Sequence, residues 1–168
     1  MVNSSELNLN LKMIQDVMNG ILEKKDSIRE LAEKYHRSNN FLFLGRGLNY
    51  PSALEGALKL KEISYIHAEG YPGAEMKHGP IALIDHDFPT MAIATDKENL
   101  TKMISNIKEI KARNGRVIAI IQEGEESVKG IVDDYFEIPL LPDLIAPVVT
   151  ALPLQLFAYY ISLSGMQC

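Results

Sequence analysis

The sequence has no tryptophan, a single cysteine and no run of basic residues. Each shortage closes off a class of function. Cys168, the final residue, can close no internal disulfide and has no cysteine or histidine partners at zinc spacing. Lysine and arginine number 17 against 22 aspartates and glutamates, a formal charge of −5. Nucleic-acid phosphates demand a basic surface, so an acidic chain without an arginine-rich stripe excludes that partner. Proline, glutamine or charge interrupts every apolar segment before the ~20 residues of a membrane helix. The opening MVNSSELNLN carries no apolar stretch of the signal-peptide kind. A soluble, cytoplasmic protein with no membrane partner is the expectation.

What is present is enough to build a core. The chain has 168 residues, 46% of them hydrophobic, which excludes disorder and suits one ordinary domain. No internal repeat or low-complexity linker divides it. The expectation is one domain over residues 1–168, with a helical lead-in at about 7–38.

Two patterns alternate along the chain. Strand-like runs stand at FLFLG (Phe41 to Gly45), SYIHA (Ser64 to Ala68), TMAIAT (Thr90 to Thr95), RVIAII (Arg116 to Ile121) and YFEIP (Tyr135 to Pro139). Several are continuously apolar, which suits strands covered on both faces. Helical spacing is clearest over Lys97 to Arg113, where Leu100, Met103, Ile104, Ile107 and Ile110 recur before Asn114 and Gly115 stop it. Further helices are predicted at Leu7 to Lys24, Ser27 to Arg37, Ser52 to Ile63 and Leu144 to Ser164, with a shorter one at Ala74 to Leu83. Pro153 should kink or divide the last long one. Alternating strands and helices mean βα units, hence an α/β fold with a parallel sheet flanked by helices.

Three places could carry chemistry. GRGLNYP follows the first strand and leads into a helix, a setting in which backbone amides can approach an anion. Gly45 and Gly47 make a G-x-G, but Tyr50 and Pro51 stand where a dinucleotide loop needs its third glycine. An anion or sugar-phosphate loop and plain turn chemistry both remain open, and Glu69 lies at a distance suggestive of a ribose contact. Next, Glu55, Lys59 and Glu62 fall within an arc of roughly 60° on one helix face. They are either solvent-facing charges or, in a cleft, a carboxylate base with a cation beside it. Finally, Gly79 and Pro80 fix the chain after His78, whose ring serves either structure or catalysis. Glu33 with His36 and Glu75 with His78 match the spacing of di-iron bundles. That site needs four helices, and the strand FLFLG lies between the two copies, so no metal site is expected.

The stretch FLFLGRGLNYPSALEGALKLKEISYIHAEGYPGAEMKHGPIALID, joined by LIAPVVTALPLQLFAYYISLSG near the end, resembles a known family. It is similar to the second of the two sugar isomerase (SIS) domains of glucosamine-6-phosphate synthases, the glutamine:fructose-6-phosphate aminotransferases. The likeness covers nearly the whole chain from about Ile14. It implies a three-layer SIS fold with a five-stranded parallel sheet, the same strand count reached above.

The resemblance also implies chemistry: ketose-to-aldose isomerisation of an open-chain hexose 6-phosphate, without a cofactor. Fructose 6-phosphate, glucose 6-phosphate and glucosamine 6-phosphate are the implied ligands. The family's proton-transfer glutamate falls on Glu62, its neighbouring lysine on Lys59, and its ring-opening histidine on His78. That histidine acts in the partner subunit's site, which implies a homodimer. Gly45, Arg46, Gly47 and Ser52 form the counterpart of a phosphate loop, although only Ser52 supplies a hydroxyl. The glutaminase domain, the first SIS domain and the lysine-bearing tail have no counterpart in this sequence. An isolated second SIS domain, either a fragment or a naturally short relative, is therefore expected. A silent phosphosugar-binding or dimerisation module and a stand-alone isomerase or deglycase are the competing expectations.

Overall fold

In the computed structural model, residues 4–165 are described, with side chains from residue 12 onward. Cys168 lies outside the described residues. The elements are α1 (Ser4–Glu23), α2 (Lys25–Tyr35), β1 (Asn40–Gly45), α3 (Asn49–Ser64), β2 (His67–Pro72), β3 (Thr90–Ala94), α4 (Leu100–Lys111), β4 (Val117–Gln122), α5 (Glu126–Lys129), β5 (Asp134–Ile138) and α6 (Ala146–Gly165). Two single 3₁₀ turns, Met76–His78 and Pro80–Leu83, stand between β2 and β3. All five strands pair in parallel, in the order β2-β1-β3-β4-β5.

Side-chain alternation along the central strands builds two cores, one on each face. Phe41, Phe43, Met91, Ile93, Ile118 and Ile120 point to the layer formed by α2, α3 and α6. Leu42, Leu44, Ala92, Ala94, Val117, Ala119 and Ile121 point the other way, against α4 and α5. Strands buried on both faces have no polar positions to alternate with, so their sequences read as unbroken apolar runs.

Three expectations need correction. The second strand is His67–Pro72, later than the apolar run at Ser64 to Ala68 suggests. Helix α3 continues through Ser64, whose hydroxyl donates to the Leu60 carbonyl oxygen, and Tyr65 then closes it in the left-handed region at φ 60°. Tyr65 is 92% exposed, so its β propensity reports no packing. The short helix expected at Ala74 to Leu83 is two 3₁₀ turns, because Gly79 between them takes φ 154°. Finally, α6 is one continuous helix in which Pro153 is buried, and the expected division is absent. By length and composition α6 could cross a bilayer, at a mean hydropathy of 1.4. It is instead a core helix, since Val149, Leu154, Phe157, Ala158 and Ile161 are buried in the first core.

Gly56 tests how tightly α3 sits on β1. Alanine favours a helix interior over glycine by about 1 kcal/mol. A Cβ at position 56 would lie 2.9 Å from two ring atoms of Phe43 and 3.1 Å from Leu154. Both neighbours are fully buried and cannot swing aside. Overpacking of this kind costs about 1–3 kcal/mol. Gly56→Ala should therefore destabilise by up to about 2 kcal/mol, read as a lower urea midpoint at unchanged slope. A raised midpoint would mean that α3 rests loosely on the strand.

Candidate functional site

Helix α3 turns Ala53, Gly56, Ala57 and Leu60 inward, which leaves Lys59 and Glu62 on its outer face. The Lys59 ammonium donates to Glu62 Oε2 at 2.7 Å, with the two side chains 34% and 50% exposed. The hydrogen bond to Glu62 raises the lysine pKa, opposed by desolvation and aided by the charges of Glu62 and Glu55. Glu55 does not join the pair directly. Its Oε1 accepts from Gln155 Nε2 at 3.1 Å, which ties α3 to α6.

His78 stands elsewhere. It lines an open cleft of about 640 Å³ with Tyr50, Glu69, Tyr71, Glu75 and Leu83. Neither Lys59 nor Glu62 lines that cleft. The imidazole is exposed, but the two residues before it are held. Met76 is fully buried, and Lys77 Nζ donates to Glu109 Oε1 of α4 at 2.8 Å. The charge of Glu69, two residues away on the same face of β2, raises the pKa of the Tyr71 phenol, with burial and a hydrogen bond to Glu69 adding to it.

The loop after β1 lies where the strand order reverses between β1 and β3, the position at which open α/β sheets bind ligands. Here its polar groups are engaged within the protein. Arg46 Nε donates to Asn106 Oδ1 at 2.9 Å, and Ser52 Oγ donates to the Pro147 carbonyl oxygen at 3.0 Å. Gly47, at φ 53°, lies against a carboxylate: a Cβ there would be 2.7 Å from Asp96 Oδ2. The Asp96 carboxylate accepts from Asn99 Nδ2 at 2.7 Å and from the Glu98 amide at 3.0 Å. A negative charge on the flank of Gly47 opposes an incoming anion.

The structure thus joins Lys59 to Glu62, sets His78 apart, and occupies Arg46 and Ser52 with internal bonds. Glu69 lines the His78 cleft, as do Tyr50, Tyr71 and Glu75, which sequence reasoning missed in this role. Tyr50 comes from the start of α3, Tyr71 and Glu75 from β2 and the turn after it, and no local spacing announces Tyr50 or Tyr71. Of the rejected metal pairs, His36 Nδ1 donates to the Glu33 carbonyl oxygen at 2.7 Å, while Glu75 and His78 share the cleft wall.

Residues 34–164 match the SIS domain family. The chain belongs to that family. This SIS domain is 50% identical over 164 residues to the glutamine–fructose-6-phosphate aminotransferase (isomerizing) of Chlorobaculum tepidum, covering 96% of the chain and 27% of the relative. The corresponding enzyme of Bacteroides thetaiotaomicron is 51% identical over 152 residues, covering 90% of the chain and 25% of the relative. The SIS domain therefore spans about a quarter of the length of these curated relatives. A solved C-terminal domain of glucosamine-fructose-6-phosphate aminotransferase from Francisella tularensis superposes with a TM-score of 0.88 at 39% identity. That match covers 98% of this chain and 47% of that one. The SIS domain is homologous to the isomerase half of these aminotransferases.

Arg46 acts here as a strut. Its guanidinium lies over Gly73, where an added Cβ would meet Asn106 Oδ1 at 2.7 Å and Arg46 Nε at 3.0 Å. The Gly73 amide donates to the Gly45 carbonyl oxygen at 2.8 Å, so the start of the segment leading to His78 is pinned to the end of β1. Arg46→Ala would leave the buried Asn106 carbonyl without its donor, at a cost of about 1–3 kcal/mol. Hydrogen exchange should speed up at the Gly73 amide and at residues 76–79. Unchanged protection there would mean that another contact holds the segment.

Proposed function

We propose that this SIS domain supplies the proton-transfer half of a phosphosugar isomerase site, within a fructose-6-phosphate aminotransferase that forms glucosamine 6-phosphate. The observation that carries this reading is the Lys59–Glu62 pair, bonded at 2.7 Å on the outer face of α3. Glu62 takes a proton from one carbon of the open-chain sugar and returns it to the next. Lys59, bonded to that carboxylate, offsets negative charge on the enediolate formed between the two transfers. His78 opens the sugar ring as an acid–base catalyst.

The separation of His78 from the pair supports a site shared between two subunits in a homodimer. Leu54, Leu58, Ile63 and Tyr65 are exposed on and beside the charged face of α3, an apolar surface suited to being covered. The Asp96 carboxylate beside Gly47 supports a division of labour in which another domain grips the sugar phosphate. The same geometry favours the competing reading, a phosphosugar-binding or dimerisation module that lacks chemistry of its own. Localisation in the cytoplasm accords with substrates of this kind.

Proton NMR of fructose 6-phosphate and glucose 6-phosphate in heavy water separates the two. An isomerase half-site exchanges deuterium into carbon 1 or carbon 2, and Glu62→Gln slows that exchange by roughly 10²- to 10⁴-fold. Ligand line-broadening without exchange identifies a binding module. Exchange that survives Glu62→Gln would remove Glu62 from the chemistry.

Sharing of the site has its own test. If each site takes Glu62 from one subunit and His78 from the other, mixing inactive Glu62→Gln with inactive His78→Ala chains should restore about a quarter of the exchange, since half of the dimers are mixed and each holds one intact site. No recovery in mixtures shown to exchange subunits would place both residues in a single subunit's site.

A further inference from the structure

At the other end of the sheet, before the first residues of β1, β3 and β4, lies a polar pocket of about 280 Å³ lined by Lys34, Arg37, Ser38, Asn39, Asn40 and Arg116, with Asp87 completing it. Three cations converge there on a chain whose formal charge is −5. Ligands of open α/β sheets gather at the carboxyl ends of the strands, so this pocket is separate from the site described above.

Each cation can first be tested against a structural role. Lys34 has one, since it donates to Asp134 Oδ2 at 2.5 Å. Arg116 is half committed: its Nε donates to the His86 carbonyl oxygen at 2.7 Å, and its guanidinium carbon lies 5.0 Å from the Tyr35 ring centroid. That leaves its terminal nitrogens available. Arg37 has no hydrogen bond or ion pair among the described residues. Position at the end of α2 suits Lys34 and Arg37 to the helix dipole, but it does not account for Arg116. Nor does it account for Ser38, which is only 8% exposed, lines the pocket and has a hydroxyl with no hydrogen-bond partner among the described residues. Such a hydroxyl is free to donate to a ligand. The one acid of the pocket, Asp87, stands on the rim, where its Oδ1 accepts from His86 Nδ1 at 3.2 Å.

We propose that this pocket binds a small oxyanion of the phosphate class. Arg37 and Arg116 present planar forks that match phosphate oxygens. Ser38 donates its unpaired hydroxyl from the floor, and the Asn39 and Asn40 amides complete the rim. The chemistry is shared by inorganic phosphate and by the phosphate group of an ester, and the experiment distinguishes them.

The test is a titration of the ¹⁵N-labelled protein with sodium phosphate, and separately with glucose 6-phosphate, each against sodium chloride at equal ionic strength. Saturable amide shifts at residues 37–40, 87 and 116 are expected with both anions and not with chloride, at roughly millimolar dissociation constants. Arg37→Glu alters an exposed side chain and should weaken this binding at least about tenfold. Ser38→Ala keeps every charge and should weaken it too, which a diffuse basic patch would not do. Binding of the ester about tenfold tighter than of free phosphate assigns the pocket to a phosphate ester. Equal or weaker ester binding assigns it to inorganic phosphate. Shifts that stay linear, that chloride reproduces, or that Arg37→Glu leaves intact would overturn the proposal. Shifts at Lys59, Glu62 and their neighbours report the α3 site and do not bear on it.

Discussion

Phe41 and Phe43 of β1 press against the inner face of α3 and against Phe157 of α6, whose ring meets Phe41 edge-on at 5.7 Å. The candidate site depends on this seating. Burying a leucine such as Leu60 is worth about 1.5–3 kcal/mol, whereas exposed ion pairs add little. The apolar face of α3 therefore sets the helix's rotation, and Lys59 and Glu62 go where that rotation sends them. Two residues of opposite charge, three apart on the outer face, are then brought into contact without strain.

The other end of the sheet is held by charges more than by aromatic packing. Asp133 accepts from both Lys111 Nζ and the Val117 amide at 2.7 Å, and so ties the end of α4 to the first residue of β4. Burial alone would raise its pKa, but the lysine and the amide outweigh burial and hold the carboxyl below its ordinary value. Tyr35 donates to Asp134 at 2.5 Å, joining α2 to β5. Its phenol pKa is raised, first by burial and then by that bond. The parallel topology concentrates these ties, because every strand starts at the same end and every preceding loop must be fastened there.

The reach of sequence reasoning follows from which forces are local. The five-strand α/β fold was legible because β1, β3 and β4 are apolar at all but one terminal position each, and α4 carries an unmistakable helical period. β2 was misplaced because it is an edge strand reading HAEGYP, with little hydrophobicity to mark it, while the apolar residues just before it belong to the end of α3. The Lys59–Glu62 pair could be read from three-residue spacing alone. The cleft around His78 could not, since Tyr50 of α3 meets Tyr71 and Glu75 there only through the pairing of β1 with β2. Arg46 was legible as a residue of a glycine loop, but its bond to Asn106 crosses 60 positions and leaves no trace in local pattern.

Proton transfer needs a base within hydrogen-bond reach of the sugar, and it gains from the exclusion of water. In the single chain Glu62 is half exposed and bonded to a cation. Under the proposed assembly, a second subunit laid over Leu54, Leu58 and Tyr65 would remove water from the pair. The same covering would strengthen the attraction of Lys59 for negative charge developing on the sugar. Assembly would thus supply His78 and the dielectric together. Under that proposal, an exposed ion pair of little consequence to the stability of one chain would become the reactive part of two.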